Sequence, residues 1–268
     1  MTQNESLRDV NLLRAYIRGT DGVKNLEQYR GCLIGGAAGD ALGYAVEFPG
    51  TDAAVKKYGK SGSKNCELHN GIAPVSSVTQ MTLFTANGLL LGTTRGMTRG
   101  IMGPYPAYIA ACYKDWLQTQ SAAYPLRPRS LYSWLVNEPE LFARRDPGDT
   151  CISAIINGAD GTIDEPMNQS KGCGGMVRAA PIGLYLGGRR YESDKIDMIG
   201  AETAALTHGH ELGYIPAAAF VHMLIASVNH SGASSSTGAV TGSIMGTYLG
   251  YSSIPDKYIE NLELKNVI

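Results

Sequence analysis

Residues 31–43 read Gly-Cys-Leu-Ile-Gly-Gly-Ala-Ala-Gly-Asp-Ala-Leu-Gly, and three of the glycines are spaced four apart, at 35, 39 and 43. Residues 238–250 repeat this spacing, with glycines at 238, 242, 246 and 250. Residues four apart share one face of an α-helix, so each run predicts a helix with a stripe that a neighbouring backbone can approach closely. Each glycine costs a helix about 1 kcal/mol relative to alanine. Two glycine-rich loops are the alternative, but the strict spacing favours two buried, tightly packed helices.

Helical periodicity also dominates outside the glycine runs, whereas the alternation typical of strands is scarce. Helices are predicted at residues 6–18, 107–118, 130–137, 195–207 and 215–228. Loops are indicated at 58–65, around the prolines at 125 and 128, and at 157–167. The predicted fold class is therefore all-α, a compact orthogonal multi-helix domain.

Composition excludes several classes of function. Hydrophobic residues make up 44% of the 268 residues, enough for a core. The 23 basic and 24 acidic residues nearly balance, without long runs of one sign, so neither a nucleic acid nor a membrane is expected as a partner. The five cysteines are scattered and form no CxxC pair, which argues against disulfides or zinc. With no signal peptide or membrane-spanning stretch recognised, we expect a cytoplasmic location.

Four segments together carry a family resemblance. They are residues 31–48, residues 76–85 (SSVTQMTLFT), residues 170–181 (SKGCGGMVRAAP), and residues 205–210 (ALTHGH) followed by 232–238 (GASSSTG). In this order and spacing they resemble the ADP-ribosylglycohydrolase family, which removes ADP-ribose from modified proteins. The resemblance runs from about residue 25 to the end. It implies a domain at 24–268, preceded by an N-terminal extension at 1–23 that is predicted to be helical.

The resemblance implies a site for two magnesium ions. Active members of the family take the ligands from a Ser/Thr-Asp-Asp-Thr segment before one helix and an Asp-x-Asp-Ser/Thr segment before another. Magnesium prefers an octahedron of oxygen ligands, and carboxylates offset the cost of its dehydration. Two such ions could orient the ribose diol and activate a water.

This chain departs from that pattern at four carboxylate positions. In the first segment Ser76 matches the family's hydroxyl, but Ser77 and Val78 stand where two aspartates are expected. In the second segment Ala233 and Ser235 replace the other two aspartates. We therefore predict that the magnesium site, and with it the cofactor, is lost.

Two further residues of these segments retain the family's chemistry. Ser236 keeps the hydroxyl of the second segment. Glu47 matches the family's cleft glutamate and is the one residual catalytic candidate.

Other residues match ADP-ribose-binding positions of the family. The candidates are Ser170, Gly172, Cys173, Gly174, Gly175 and His208. The glycines resemble a loop whose backbone amides approach the diphosphate, but they could equally form a tight turn into a helix at 176–187. For His208 and His210 a capping or core role is the favoured interpretation. Asp40 is expected to be a buried, paired acid.

Two hypotheses about function follow. The first is a catalytically impaired protein that acts by binding, as an immunity protein that neutralises an ADP-ribosyltransferase toxin, since hydrolases of the family serve as immunity proteins. The apolar face of the extension, formed by Leu7, Val10, Leu13 and Ile17, would then contact the partner, although packing on its own domain is as reasonable. The second hypothesis is an active ADP-ribosyl-protein hydrolase, or an ADP-ribose binder, with an altered, metal-poor site.

Overall fold

A computed structural model describes residues 26–44, 56–57, 65–127, 131–187, 191–222, 239–240, 242–244, 246 and 251–268. Its α-helices are α1 (residues 26–44), α2 (Ser77–Arg99), α3 (Tyr105–Thr119), α4 (Asp149–Ile156), α5 (Ala180–Gly187), α6 (Ser193–Ala205) and α7 (Glu211–His222). Short 3₁₀ helices lie at Trp134–Asn137, Pro139–Leu141, Cys173–Gly175, Tyr251–Ser253 and Asp256–Tyr258. No strand occurs in these ranges. The all-α prediction is confirmed.

Helices α2 and α3 form the centre of the fold. Gly100 ends α2 in the left-handed conformation (φ 71°), and its N–H bonds to the carbonyl of Gly96 at 2.9 Å. A Cβ built on Gly88 would lie 2.6 Å from Cα of Ile109, so the absence of a side chain at Gly88 lets the two helices cross closely. Large core side chains surround this crossing, among them Phe84, Leu89, Tyr113, Trp116, Leu141 and Ile182.

The two glycine stripes pack against each other. A Cβ built on Gly242 would overlap the carbonyl oxygen of Gly35, and one on Gly246 would overlap that of Gly31. The residues described between 239 and 246 are helical, so this contact joins the C-terminal helical segment to α1. The close packing expected from the spacing is confirmed for these residues, and it makes α1 and the segment 239–246 a pair.

The helix predicted at 130–137 is wrong in extent. Residues 131–133 are irregular, and only the 3₁₀ turn Trp134–Asn137 follows. The carboxylate of Asp115 accepts hydrogen bonds from the backbone N–H groups of Tyr132 (2.6 Å) and Ser133 (2.8 Å). Ser133 then caps the turn by accepting from N–H of Leu135. The bonds from Asp115, on another helix, hold the backbone of residues 132 and 133 in a non-helical conformation.

The remaining helices differ from the predictions mainly at their ends. The helix predicted at 176–187 begins instead at Ala180, and Pro181 then lies in its first turn, where the missing N–H group costs no hydrogen bond. Helix α7 begins at Glu211, four residues earlier than expected, and contains Pro216. Residues 223–228, and the helix predicted at 6–18, lie outside the described residues.

The beginning of α2 is held by residues from the C-terminal end of the chain. The N–H of Ala73 bonds to the carbonyl of Asn261 (2.7 Å), and the N–H of Glu263 bonds to the carbonyl of Ala73 (3.1 Å). The Glu263 carboxylate accepts the N–H of Val75 at 2.8 Å and pairs with Arg145. The position of the first turn of α2 is therefore fixed by several distant segments.

Among the described helices, none is both long enough and apolar enough to cross a lipid bilayer.

Candidate functional site

A cleft of about 260 Å³ lies at the N-terminus of α2. It brings together segments that the sequence pointed to separately: the start of α2, residues 146–151, the glycine loop and His208. Its described lining residues are Tyr44, Ser76, Ser77, Val78, Met81, Asp146, Gly148, Thr150, Cys151, Gly172, Cys173, Gly174, Val177, Arg178 and His208.

Ser76 and Asp40 organise the first turn of α2. Ser76 is the N-cap, and its hydroxyl accepts the N–H of Val78 at 3.1 Å while donating to Asp40 at 2.7 Å. The Asp40 carboxylate also accepts the N–H of Ser76 (2.9 Å) and both the hydroxyl (2.6 Å) and N–H (3.3 Å) of Thr79. Asp40 is thus the buried, paired acid that the sequence predicted. Burial raises the pKa of Asp40 to about 6, although these hydrogen bonds to its charged form oppose the rise.

Asp146 is the acid of this cleft that sequence reasoning missed. It is the one acidic residue among the described lining residues, and the hydroxyl of Tyr44 donates to its carboxylate. Asp146 has a positive φ of 47°, an uncommon conformation outside glycine. Burial, and then the bond to Asp146, raise the pKa of Tyr44, so the phenol keeps the proton it donates. The signal available in the sequence was an aspartate before a Pro-Gly turn that leads into α4.

The described residues of the cleft do not fit a pair of magnesium ions. The Ser76 hydroxyl oxygen already accepts the N–H of Val78 as the helix cap, Val78 offers no side-chain oxygen, and the Ser77 hydroxyl lies 3.5 Å from the carbonyl of Asp146. The one lining carboxylate, Asp146, accepts from Tyr44. No group of three or more His, Cys, Asp or Glu side chains with a geometry suited to a metal ion occurs within the described ranges. Neutral hydroxyls and a single carboxylate compensate poorly for the dehydration of magnesium.

The glycine loop wraps around the ring of His208. A Cβ built on Gly174 would lie 3.0 Å from Cε1 and 3.1 Å from Nε2 of His208, and one on Gly172 would lie 3.3 Å from Nε2. Side chains at these two positions would therefore displace the imidazole. Of the two interpretations left open for this loop, the structure shows the tight turn, as a 3₁₀ turn at Cys173–Gly175, and it does not test binding of a diphosphate.

Three further residues named from the sequence, Gly175, Ser170 and His210, are not among the described residues that line the cleft. Gly175 packs against α6, where a Cβ would lie 2.7 Å from that of Ala204, and it does not line the cleft. Ser170 lies next to the cleft, with its hydroxyl 3.3 Å from that of Thr150. His210 accepts the N–H of Leu212 at 3.0 Å, which confirms a capping role at the start of α7.

His208 is both a core residue and a lining residue. Its side chain is 2% exposed, and Nδ1 lies 2.8 Å from the hydroxyl of Thr207. Burial, and then the positive charge of Arg178, lower the pKa of His208 to about 3. The imidazole is therefore neutral at physiological pH and can donate only one ring N–H group.

Several residues named from the sequence fall outside the described residues. These are Glu47, Ala233, Ser235 and Ser236 of the family's cleft positions, and Leu7, Val10, Leu13 and Ile17 of the N-terminal extension.

A larger cavity, of about 670 Å³, lies between α3, the loop 157–167 and α6. Its lining is mainly apolar, with Lys114, Asp160, Asp164 and Glu202 as charged residues. Burial raises the pKa of Glu202. Of the four sequence motifs only the last reaches this cavity, through Leu206, whereas residues of the second, third and fourth motifs line the smaller cleft, which is therefore the better candidate for the functional site.

Two comparisons with known proteins bear on this cleft. A family model described as ADP-ribosylglycohydrolase matches residues 22–227 and, in a second segment, residues 220–268. The matched ranges include every described residue that lines the cleft. No curated protein matches the chain significantly.

Proposed function

Because the chain belongs to the ADP-ribosylglycohydrolase family, we propose that it is a binding member of that family, which holds ADP-ribose or an ADP-ribosylated protein without cleaving it by the two-magnesium route. The observation that carries this proposal is the first turn of α2. Ser77 and Val78 stand at the cleft where the family's motif places two aspartates, and both line it.

Retention of the glycine loop supports a binding role. Gly172 and Gly174 line the cleft and lie against His208, which leaves backbone and one ring N–H group near the surface that a diphosphate would contact. Arg178, a cation, lies behind the same surface. Hydrogen-bond donors and positive charge favour a phosphorylated ligand over a neutral one.

Calorimetric titration of the full chain tests the proposal directly. We expect saturable binding of ADP-ribose, no magnesium site of micromolar affinity, and no release of ADP-ribose from an ADP-ribosylated protein. The variant Gly174→Val tests the glycine loop. It should weaken ADP-ribose binding, because the added side chain would displace His208. Saturable magnesium binding together with hydrolysis would contradict the proposal.

An immunity role is our proposal for the biological context. It is supported by the family's use in immunity and by the apolar face that helical spacing predicts for Leu7, Val10, Leu13 and Ile17. The partner would be an ADP-ribosyltransferase toxin. This protein would block either the toxin's active site or the target that the toxin has modified. Deleting residues 1–23 should then weaken toxin neutralisation while the protein stays folded by circular dichroism. Full neutralisation by the truncated chain would remove this role for the extension.

A second candidate function is hydrolysis at an altered site. It is favoured by the Asp146 carboxylate, which lines the cleft and could serve as a base once the hydrogen bond from the Tyr44 hydroxyl is broken. This candidate predicts ADP-ribose release that persists in EDTA and is abolished in Asp146→Asn or Glu47→Gln. A binding protein would show no release in any of these variants.

A further inference from the structure

Arg178 is a buried cation without an acidic partner among the described residues. Its side chain is 0% exposed, and no described ion pair includes it. Its Nη1 points to the sulfur atoms of Met81 (3.4 Å) and Cys151 (3.5 Å), and Cζ lies 4.5 Å from the centre of the Tyr113 ring. Its one short bond to oxygen runs from Nη2 to the hydroxyl of Thr207, at 2.5 Å. Sulfur atoms are weak hydrogen-bond acceptors, so the Thr207 hydroxyl is the main acceptor for the buried Arg178 guanidinium among the described residues.

The hydrogen bonds of Thr207 can be assigned from its neighbours. A guanidinium only donates, so the Thr207 hydroxyl accepts from Arg178 and has one proton left to donate. The two acceptors within reach are Nδ1 of His208 at 2.8 Å and the carbonyl of Ala204 at 3.5 Å. The shorter distance favours Nδ1. The bond from Arg178 also polarises the hydroxyl and strengthens it as a donor.

A ring nitrogen that accepts cannot carry the proton of a neutral imidazole. If Nδ1 of His208 accepts from Thr207, the proton lies on Nε2. Nε2 is the nitrogen that faces the glycine loop, because it is the His208 atom nearest to a Cβ built on Gly172, at 3.3 Å. The side of the ring that faces the core is thus an acceptor, and the side that faces the loop is a donor.

We propose that Arg178 and Thr207 are positioning residues, which form a relay of hydrogen bonds that fixes His208 as the Nε2–H tautomer and aims that N–H group at an oxygen acceptor bound against residues 172–174. The acceptor class is an oxyanion or a sugar hydroxyl. This identification of the ligand rests on the proposed function, whereas the tautomer assignment does not.

The tautomer can be measured in the unliganded protein. Long-range ¹H–¹⁵N correlation spectra of the ¹⁵N-histidine-labelled full chain distinguish a protonated from an unprotonated ring nitrogen, and His208→Gln identifies the signals of His208. We expect Nδ1 to be unprotonated and Nε2 to be protonated at pH 7. A protonated Nδ1 would overturn the proposal, whatever the protein binds.

Two variants of Thr207 test the relay itself. Thr207→Val keeps the shape and removes the hydroxyl, so the spectrum should change to a mixture of tautomers. Thr207→Ser keeps the hydroxyl and should preserve the wild-type spectrum. An unchanged tautomer in Thr207→Val would show that Thr207 does not select it. Should the valine variant fail to fold, the wild-type and serine spectra still decide the assignment.

The ligand part is tested with ADP-ribose as the probe. Thr207→Val should raise the dissociation constant by the inverse of the Nε2–H fraction that its spectrum shows, about tenfold if that fraction falls to roughly a tenth, whereas Thr207→Ser should leave the constant unchanged within error. Equal affinity in Thr207→Val, despite a changed tautomer, would overturn the role of Nε2–H in binding. Absence of ADP-ribose binding by the wild type would instead contradict the proposed function and leave the spectra to test the relay.

Discussion

At the scale of single residues, two buried titratable groups beside the cleft have pKa values that are shifted in opposite directions. Asp40 lies beneath the first turn of α2, where burial raises its pKa to about 6. His208 lies behind the glycine loop, where burial and Arg178 lower its pKa to about 3. At neutral pH this leaves a charged carboxylate satisfied by four hydrogen bonds and a neutral imidazole.

His208 gives a prediction about the dependence of stability on pH. Its pKa is 6.5 in the unfolded chain and about 3 in the fold, so only the unfolded chain gains a proton as the pH falls below 6.5. The stability that His208 contributes is therefore present above pH 6.5 and is lost toward pH 3. Between pH 7 and pH 5 the loss should be about 2 kcal/mol.

The measurement is urea denaturation of the wild type and of His208→Gln at the two pH values. The variant should lose about 2 kcal/mol less than the wild type over this interval. Because Asp40 is present in both proteins, its opposite contribution is expected to cancel in the difference. Equal losses would mean that His208 is protonated in the folded protein.

The role of a single residue could be predicted from the sequence where it follows from the residue type and its immediate neighbours. Asp40 was predicted as a buried, paired acid because a lone aspartate in a glycine-rich apolar helix needs partners. Asp146 was missed because its place in the cleft depends on a turn with positive φ, which brings residues 146–151 beside α2. Arg178 was missed because its contacts come from α2, α3, α4 and the end of α6, and no spacing in the sequence shows them together.

At the scale of elements, the contact between α1 and the segment 239–246 is a crossing of two glycine faces. Gly35 and Gly242 meet there, with backbone against backbone. Regular spacing predicted that each stripe would be packed, but it did not identify the partner. That information lies in the three-dimensional arrangement, since residues 31–35 and 242–246 are far apart in the sequence.

Gly242→Ala tests this crossing. The added methyl group would overlap the carbonyl oxygen of Gly35, so the helices must separate, and we expect a loss of about 1–3 kcal/mol in the free energy of unfolding. Gly187→Ala is the matched control, because a Cβ there meets nothing within 4 Å. It should be neutral or slightly stabilising, since alanine suits a helix better than glycine. Equal melting temperatures for the two variants would disprove the packing account.

Element boundaries were less predictable than the elements themselves. Apolar periodicity located α3 to within two residues at each end, because its buried face includes Ile109, Tyr113 and Trp116. The same periodicity at 130–137 was overridden by Asp115, whose carboxylate holds two backbone N–H groups in a non-helical conformation. Side-chain bonds from a distant helix cannot be recognised from local pattern.

At the scale of the whole molecule, the protein has the family's all-α fold, and Ser77 and Val78 line the cleft at the start of α2. The fold could be predicted because four motifs occur in order along the chain, and their described residues lie in α1, at the start of α2, in the glycine loop and at the end of α6. The composition of the cleft at Ser77 and Val78 could also be read from the sequence. What could not be read is the arrangement of Tyr44, Asp146 and Arg178 around it.

Restoration of the carboxylates tests whether the fold still supports the family's metal chemistry. The variant carries Ser77→Asp, Val78→Asp, Ala233→Asp and Ser235→Asp. We expect it to be less stable than the wild type without metal, because like charges then lie close together, and to gain thermal stability with magnesium, since a ligand that binds only the folded state stabilises it. The same positions changed to asparagine provide the uncharged control. A variant that folds but does not respond to magnesium would show that the cleft has lost more than its carboxylates.

The bond between Val75 and Glu263 has a consequence for how the protein is made. These residues are 188 positions apart, yet the glutamate holds the N–H just before α2. At typical rates of protein synthesis, roughly 10–40 s pass between the appearance of the two residues on the ribosome. During that interval α2 lacks the hydrogen bond from Val75 to Glu263, and some of the apolar residues of the core have not yet been synthesised. The nascent chain is then exposed to chaperones and to aggregation, so slowing translation between residues 75 and 263 should reduce the yield of folded protein more than slowing it by the same time before residue 75.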